Sequence, residues 1–374
     1  MTQNKPLNIG IVCGEHSGDR LGAGIIQEIK KNSNVNLFGV GGPMLEELGV
    51  ESKFDFSELQ IMGLIDPLVN LRKLRKLRSD LIEFFIEKEI DFFIGIDSPD
   101  FNMGIHKALK KKYNNKNIQI VSPSVWVWRQ NRIKSIQAFI DLTVCLFDFE
   151  DIYYKKVKHN SIHLGHPFSE IKKIERQKVF NKYNLDHNNK FISILPGSRK
   201  SEIKYMLPIY LDFITDHSYQ NHEYVYLIPA VDSNNLLENI NNLIPNANLP
   251  ILVKENAIQD FLSISEFSIT TSGTATLESA VLGCPPIICY KTNFFNFSII
   301  SRMLKIKNIG LPNILLKKDY YPELLQSDCN LSSIKQAVKN IPKLVEESNE
   351  NAELLKNILR GEGFSNTAEK IISL

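Results

Sequence analysis

Tryptophan is almost missing from this chain. Of 374 residues only two are Trp, and both fall in one short stretch, VSPSVWVWRQ, as Trp126 and Trp128 beside Arg129. A residue used so sparingly and then twice together marks either a packing accident or the wall of a binding site. Other scarcities exclude more. The five cysteines, Cys13, Cys145, Cys284, Cys289 and Cys329, form no CxxC pair and no Cys/His ligand spacing. They read as buried thiols in a reducing cytosol, not as disulfides or a zinc site. Net charge is only +2 with histidines neutral, too small to argue for nucleic acid as a partner. No apolar run approaches the roughly 20 residues that span a bilayer. The opening MTQNKPLNIGIVCG has no charged segment followed by a long apolar one, so no secretory signal is expected. If the chain meets a membrane, it does so at the surface.

What is present in abundance is alternation. Short apolar runs (LNIGIVCG, NLFGVGG, DFFIGIDSPD, IQIVSPS, DLTVCLF, SIHLGHP, then FISILPGS, YVYLIPA, PILVKEN, FSITTSG, PIICYK) are separated by helical patterns such as Asp19–Lys31, Pro67–Lys88, Glu202–Asp216 and Thr274–Leu282. Strands this uniformly apolar are buried on both faces, which implies parallel sheets between helical layers. There are too many for one doubly wound sheet, and the length suits two domains. The boundary is set after GHPFSE, where a polar, charge-rich stretch leads to a fresh strand at Phe191. The expected division is 1–168 and 169–344, with the polar helical tail 345–374 packing back on the first domain.

In open α/β sheets ligands gather beyond the carboxyl ends of the strands. There the second half places Gly197, Ser198 and Arg199 after one strand, and Ser272, Gly273 and Thr274 between another strand and a helix. Free N–H groups and the positive end of a helix dipole make a phosphate site, to which Arg199 adds a planar donor. The alternative for Ser272-Gly273-Thr274 is plain helix capping. Glu278, one turn on, is placed to accept ribose hydroxyls or to face the helix dipole. The first half lacks GxGxxG, so a dinucleotide site is not indicated. It does set Asp97 at the mouth of an apolar strand, as a general base or a structural hydrogen-bonding group, with Asp100 as a helix N-cap. His16 and His166 form no metal or triad set. Finally, LQIMGLIDPLVNLRKLRKLRSDLIEFF reads as an imperfect amphipathic helix. Its ordinary reading is a packed helix with a solvated basic edge. The other is a surface helix in which Ile61, Met62, Leu64 and Leu68 dip into an anionic bilayer beside Arg72 and Lys73.

Taken in order, GEHSGDRLGAG, GVGGPMLEELGV, ELQIMGLIDPL, IGIDSPDFN, VSPSVWVWRQNRIKSI, FEDIYYKK, LGHP, LPGSRKSEI, SGTATLESAVLGCPPIICYK, LPNILL and PELLQ resemble the lipid-A-disaccharide synthase family of inverting glycosyltransferases. SPSVWVWRQ is the most family-specific of these motifs. The departures are His16, where the family usually has Ser or Thr, Gly310 before LPN, where it has Ser, and Phe168-Ser169 after GHP. The resemblance implies a GT-B architecture, two Rossmann-like doubly wound domains around a cleft, with C-terminal helices crossing back. It implies transfer from UDP-2,3-diacylglucosamine to 2,3-diacylglucosamine 1-phosphate, giving a β-1,6-linked disaccharide phosphate and UDP, without metal or other cofactor. By the same resemblance Gly197, Ser198, Arg199, Ser272, Gly273 and Thr274 hold the donor pyrophosphate and Glu278 the ribose. Asn313 and Gln326 line that donor site, and Asp97 is the catalytic base. Glu15, Ser17, Asp19, Trp126, Trp128, Arg129 and Arg132 form the acceptor side. Acylated substrates imply peripheral attachment to the cytoplasmic face of the inner membrane, and a homodimer is compatible with all of this. The rival readings are another two-lobed UDP-sugar enzyme, such as a UDP-N-acetylglucosamine 2-epimerase or a peptidoglycan-type transferase, and a non-catalytic nucleotide- or lipid-binding protein.

Overall fold

Each apolar run singled out above is a strand in the computed structural model, which describes residues 5–59, 71–113, 115–123, 132–245, 248–292 and 308–374. The chain divides into two compact units, 1–166 with 359–374, and 167–358. The returning segment therefore starts at 359 and not at 345, because the polar helices before it pack within the second unit.

The first unit is built on a seven-stranded parallel sheet in the order β3-β2-β1-β4-β5-β6-β7. Its strands are β1 (Leu7–Cys13), β2 (Val35–Val40), β3 (Val50–Ser52), β4 (Phe92–Ile96), β5 (Lys116–Ile120), β6 (Leu142–Cys145) and β7 (Ser161–His163). Ile9, Ile11, Phe93, Ile94 and Ile118 are fully buried, and Phe85 from the helix Leu71–Glu87 packs with them. The last helix, Gly363–Ile372, packs on His16–Asn32 and adds Ala368 and Ile371 to the same core. Gly24 makes that contact possible: a Cβ there would lie 2.7 Å from the Phe364 ring. The tail is thus a structural part of the first unit.

The second unit has six parallel strands in the order β10-β9-β8-β11-β12-β13. They are β8 (Lys190–Leu195), β9 (Tyr224–Ala230), β10 (Ile251–Glu255), β11 (Phe267–Thr271), β12 (Pro286–Tyr290) and β13 (Glu323–Leu325). Ile192, Ile194, Tyr210, Phe213, Tyr226, Ile269 and Ile287 are fully buried in its main core. The edge strands β3 and β13, each three residues long, were not among the runs read as strands. All five cysteines are buried and free. No described helix is long and apolar enough to cross a membrane.

Both sheets reverse direction of winding once, between β1 and β4 in the first unit and between β8 and β11 in the second. At such a switch point adjacent loops diverge to opposite faces and leave a crevice at the carboxyl ends of the strands.

Candidate active site

The switch point of the first unit carries Asp97. Its amide donates to the Ile120 carbonyl at 2.9 Å, which extends β4 by one bond, and the chain then turns sharply. Asp97 and Ser98 both have left-handed backbones, φ 52° and 38°, a conformation that non-glycine residues adopt only when their surroundings impose it. The Ser98 N–H donates to Asp97 Oδ1 at 2.8 Å. Burial pushes the Asp97 carboxyl above its ordinary range, and that one N–H offsets the effect only in part. A carboxylate so raised is a better proton acceptor than an exposed one.

Loops from neighbouring strands surround it. Glu15 and Ser17 are exposed at the start of the helix His16–Asn32. A Cβ on Gly14 would lie 3.6 Å from Ser98 Oγ, so the ends of β1 and β4 touch. The Cys13 thiol, pushed up to about 12 chiefly by burial, also feels the charges of Asp19, Asp97 and Glu15. Asp19, however, is not free to meet a substrate. It is 2% exposed, and its carboxylate accepts from Gly42, Met44 and Leu45 N–H groups at 3.0, 2.9 and 3.1 Å, capping the helix Pro43–Glu47. Its contribution is to fix the loop, not to bind.

Asp100 is not the N-cap of its helix. Ser98 occupies that position, Pro99 is the first residue of Pro99–Lys112, and Asp100 sits in the first turn paired with Arg132. Trp126, Trp128 and Arg129 lie outside the described residues, as do Ile61, Met62, Leu64 and Leu68. Of the basic helix, Arg72 and Lys73 are exposed, and Lys73 reaches Glu58 at 2.5 Å. His16 stands edge-on to Phe56, ring centroids 5.3 Å apart, which gives its departure from the family a packing role. His166 stacks on Phe147 at 5.4 Å, and burial pulls its pKa down to about 4.

The switch point of the second unit is of another kind. The helix Thr274–Val281 starts after Gly273 with no side-chain cap, and Gly273 and Thr274 are exposed. A Cβ added to Gly273 would meet nothing within 4 Å. Its first N–H groups are open to an anion, which plain side-chain capping would have prevented. Across the sheet, Gly197 has φ 103°, and Ser198 and Arg199 donate their N–H groups to Glu202 Oε2 at 3.1 and 3.2 Å. That helix is therefore already capped from within. The Arg199 guanidinium is 75% exposed and bonded to Glu202 Oε1 at 3.0 Å, an exposed pair worth little and easily exchanged.

Glu278 lies in a different environment again. Burial alone pushes it up to about 7. Gln326, in a left-handed backbone at φ 53°, has a buried Nε2 with no hydrogen-bond partner among the described residues. Both are groups that a bound ligand can satisfy. Asn313 differs from the sequence expectation. It is 1% exposed, its Oδ1 accepts from Tyr320 and Tyr321 N–H at 3.1 and 2.9 Å, and its Nδ2 donates to the Tyr321 carbonyl and Glu323, both at 2.8 Å. With its amide fully used, Asn313 ties this loop together and offers no free polar atom. Glu323, whose role the sequence did not reveal, also accepts from Ile309 and Gly310 N–H at 2.8 and 3.1 Å, and Ser272 Oγ reaches the Ile309 carbonyl at 3.4 Å. Glycine at 310 fits this packing, since a Cβ there would lie 2.4 Å from Ile288 Cδ1. Among the described residues no group of three or more His, Cys, Asp or Glu is arranged to hold a metal ion.

Two doubly wound parallel sheets, each with its motifs at the switch point, define the GT-B fold class. The fold is shared with the UDP co-structure of S. aureus MnaA (TM-score 0.61, 13% identity, 98% of this chain and 95% of that one) and with Acinetobacter baumannii MurG (TM-score 0.56, 10% identity, 99% and 100%). Sequence decides among such enzymes. A model of the lipid-A-disaccharide synthetase family matches residues 9–371. Lipid-A-disaccharide synthase 2 of Legionella pneumophila is 36% identical over 360 residues, 95% of this chain and 92% of that one. The chain belongs to the lipid-A-disaccharide synthetase family and is a glycosyltransferase.

Proposed function

We propose that the protein transfers a 2,3-diacylglucosamine unit from its UDP donor to the 6-hydroxyl of 2,3-diacylglucosamine 1-phosphate. The observation that supports this reading best is the contrast between the two switch points: a half-buried, pKa-raised carboxylate at one and a helix N-terminus without a side-chain cap at the other. The open N–H groups at Thr274, helped by Arg199, hold the donor pyrophosphate. Glu278 accepts ribose hydroxyls, and Gln326 donates its unpartnered N–H to the same ligand. Gly197 and Ser198 shape the turn that presents Arg199.

Asp97 takes the proton of the acceptor hydroxyl as that oxygen attacks the anomeric carbon. The bond from the anomeric carbon to the UDP oxygen breaks on the opposite face, so the configuration inverts through an oxocarbenium-like transition state. The electron pair leaves with UDP, where fixed N–H dipoles and Arg199 stabilise the charge. Glu15 and Ser17 line the acceptor side with Trp126, Trp128 and Arg129. Arg132 exchanges its exposed partner Asp100 for the acceptor phosphate. Arg72 and Lys73 hold this unit against an anionic bilayer at the cytoplasmic face of the inner membrane.

The test is UDP release by the purified chain. It should require both UDP-2,3-diacylglucosamine and the acceptor phosphate, and isomerisation of a UDP-sugar without acceptor would overturn the reading. With substrates in anionic vesicles, Arg72→Glu combined with Lys73→Glu should slow release several-fold yet leave the rate in detergent micelles unchanged. Equal rates in vesicles would remove these residues from the surface contact.

A further inference from the structure

Strand β5 breaks the pattern of its neighbour. Where β4 reads Phe-Phe-Ile-Gly-Ile and is buried throughout, β5 carries Asn117 and Gln119 on one face, 0% and 1% exposed. Burying an amide in a strand covered on both sides is costly unless every polar atom is engaged. The partners of Gln119 are unusual. Its Nε2 lies 3.0 Å from the Asp97 carbonyl, 3.0 Å from the Ile120 carbonyl and 3.4 Å from the Val121 carbonyl. One buried amide thus ties the end of β4 to the end of β5.

These are the places where the backbone is least relaxed. Asp97, Ser98 and Val121 all have left-handed φ values of 52°, 38° and 67°. For a β-branched residue such as Val121 that conformation is an outlier. Asn102, 0% exposed, adds a second clamp, its Nδ2 donating to the Asp97 carbonyl at 2.8 Å. Gly95 leaves room for it, since a Cβ there would lie 2.9 Å from Asn102 Cγ.

The other end of the Gln119 amide is backed by a histidine. Its Oε1 faces His106 Nε2 at 3.1 Å. His106 is fully buried, and burial pulls its pKa down to about 4, so the ring is neutral at physiological pH. With the Gln119 nitrogen turned to three carbonyls, Nε2 of His106 must carry the proton and donate it to Oε1. A turned-over amide would put an oxygen against three carbonyls, so the carbonyls fix the orientation, and the Nε2–H tautomer of His106 completes it.

We propose that Gln119, hydrogen-bonded by His106 and assisted by Asn102, is a positioning residue for sugar transfer: it holds the main chain of Asp97 and of Val121 in the left-handed turns that aim the carboxylate and begin the Ser122–Pro123 acceptor-side loop. Asp97 then meets the acceptor hydroxyl without rearranging in the transition state, where small misplacements are costly. The inference rests on Asp97 as the base.

The test is a double-mutant cycle in the full chain, with UDP-2,3-diacylglucosamine and 2,3-diacylglucosamine 1-phosphate as substrates. Gln119→Met keeps the side-chain length and removes the donor. It should lower kcat by about 10- to 100-fold, with KM for the donor and UDP affinity unchanged. On the Asp97→Asn background the same change should cost nothing further, because a residue that acts only through Asp97 has nothing left to position. If the chain with Met at 119 fails to fold, His106→Phe serves instead. It keeps a ring against Phe93, now 4.8 Å from His106, but removes the donor to Gln119 Oε1 and so loosens the amide, and should show a smaller loss that again vanishes with Asp97→Asn. Equal losses in both backgrounds mean a general structural role and overturn the proposal. Unchanged kcat in a folded variant, while Asp97→Asn is inactive, removes the positioning role and leaves the base standing. Normal turnover in Asp97→Asn itself removes both.

Discussion

The two units share a topology and use it in opposite ways. At the β1/β4 switch point the chain builds rigidity. Non-glycine residues sit in left-handed turns, and Asn102, Gln119 and His106 are buried beneath them to hold those turns in place. At the β8/β11 switch point it leaves an opening, with Gly273 and Thr274 exposed, a helix without a side-chain cap, the Glu278 carboxyl raised by burial, and a buried Gln326 Nε2 without a partner among the described residues. The difference fits the roles proposed for the two sides. A base must keep one carboxylate oxygen within a fraction of an ångström of one proton. A site for a diphosphate needs unshared N–H groups and room, because the ligand itself completes the hydrogen bonds.

That contrast predicts effects of different kind as well as size. The largest belongs to the rigid side. Asp97→Asn should cut turnover by about 10²- to 10⁴-fold while UDP binding, measured calorimetrically, stays within error of the unmodified chain. A parallel fall in UDP affinity would mean that Asp97 organises the protein and not the reaction. On the open side Arg199→Ala should weaken UDP by about 10-fold with kcat at saturating donor much less affected. Unchanged donor dependence would take Arg199 out of the site.

The smallest effect is a fraction of a proton. Burial raises the folded pKa of Glu278 to about 7 from an ordinary 4.5. Between those values the folded chain keeps a proton that the unfolded chain has lost. This group therefore adds a destabilising contribution that is absent below about 4.5 and grows as pH rises to about 7. Ribose hydroxyls donating to the carboxylate favour its charged form, so UDP binding at mildly acidic pH should expel protons. Calorimetry in two buffers of different ionisation enthalpy should show more proton release at pH ~6.5 than Glu278→Gln shows, and no such difference at pH ~8.5, where the carboxylate is already charged. Identical release by both proteins would place the ribose elsewhere.

Much of this molecule was legible from pattern. Uniformly apolar runs such as FFIGI and FISIL announce parallel strands because a strand covered on both faces has no polar side to alternate. Gly, Ser and Asp after those runs mark strand ends, and so Asp97, Arg199 and Ser272 were placed beyond strand ends from spacing alone. The short strands β3 and β13 were not legible, since three residues make no period, whereas β7, equally short, is marked by the Leu-Gly that follows it. Asp19 and Asn313 show a deeper limit. Each sits in a motif beside binding residues, yet each has its polar atoms taken by backbone groups 7 to 26 residues away. Gln119 was readable only as a misfit, a polar residue in an apolar strand, and nothing local says what its amide holds.

By itself the sequence determined the strands, their parallel packing, the motifs at their ends and the family to which the chain belongs, because these depend on residue type and spacing over short stretches. Tertiary structure alone decided which polar side chains remain available. Strand order sets β1 beside β4 and β5 beside both Asp97 and Val121, and hydrogen bonds between residues distant in the chain then divide carboxylates and amides that look alike in sequence into those that hold the fold and those left to hold a ligand.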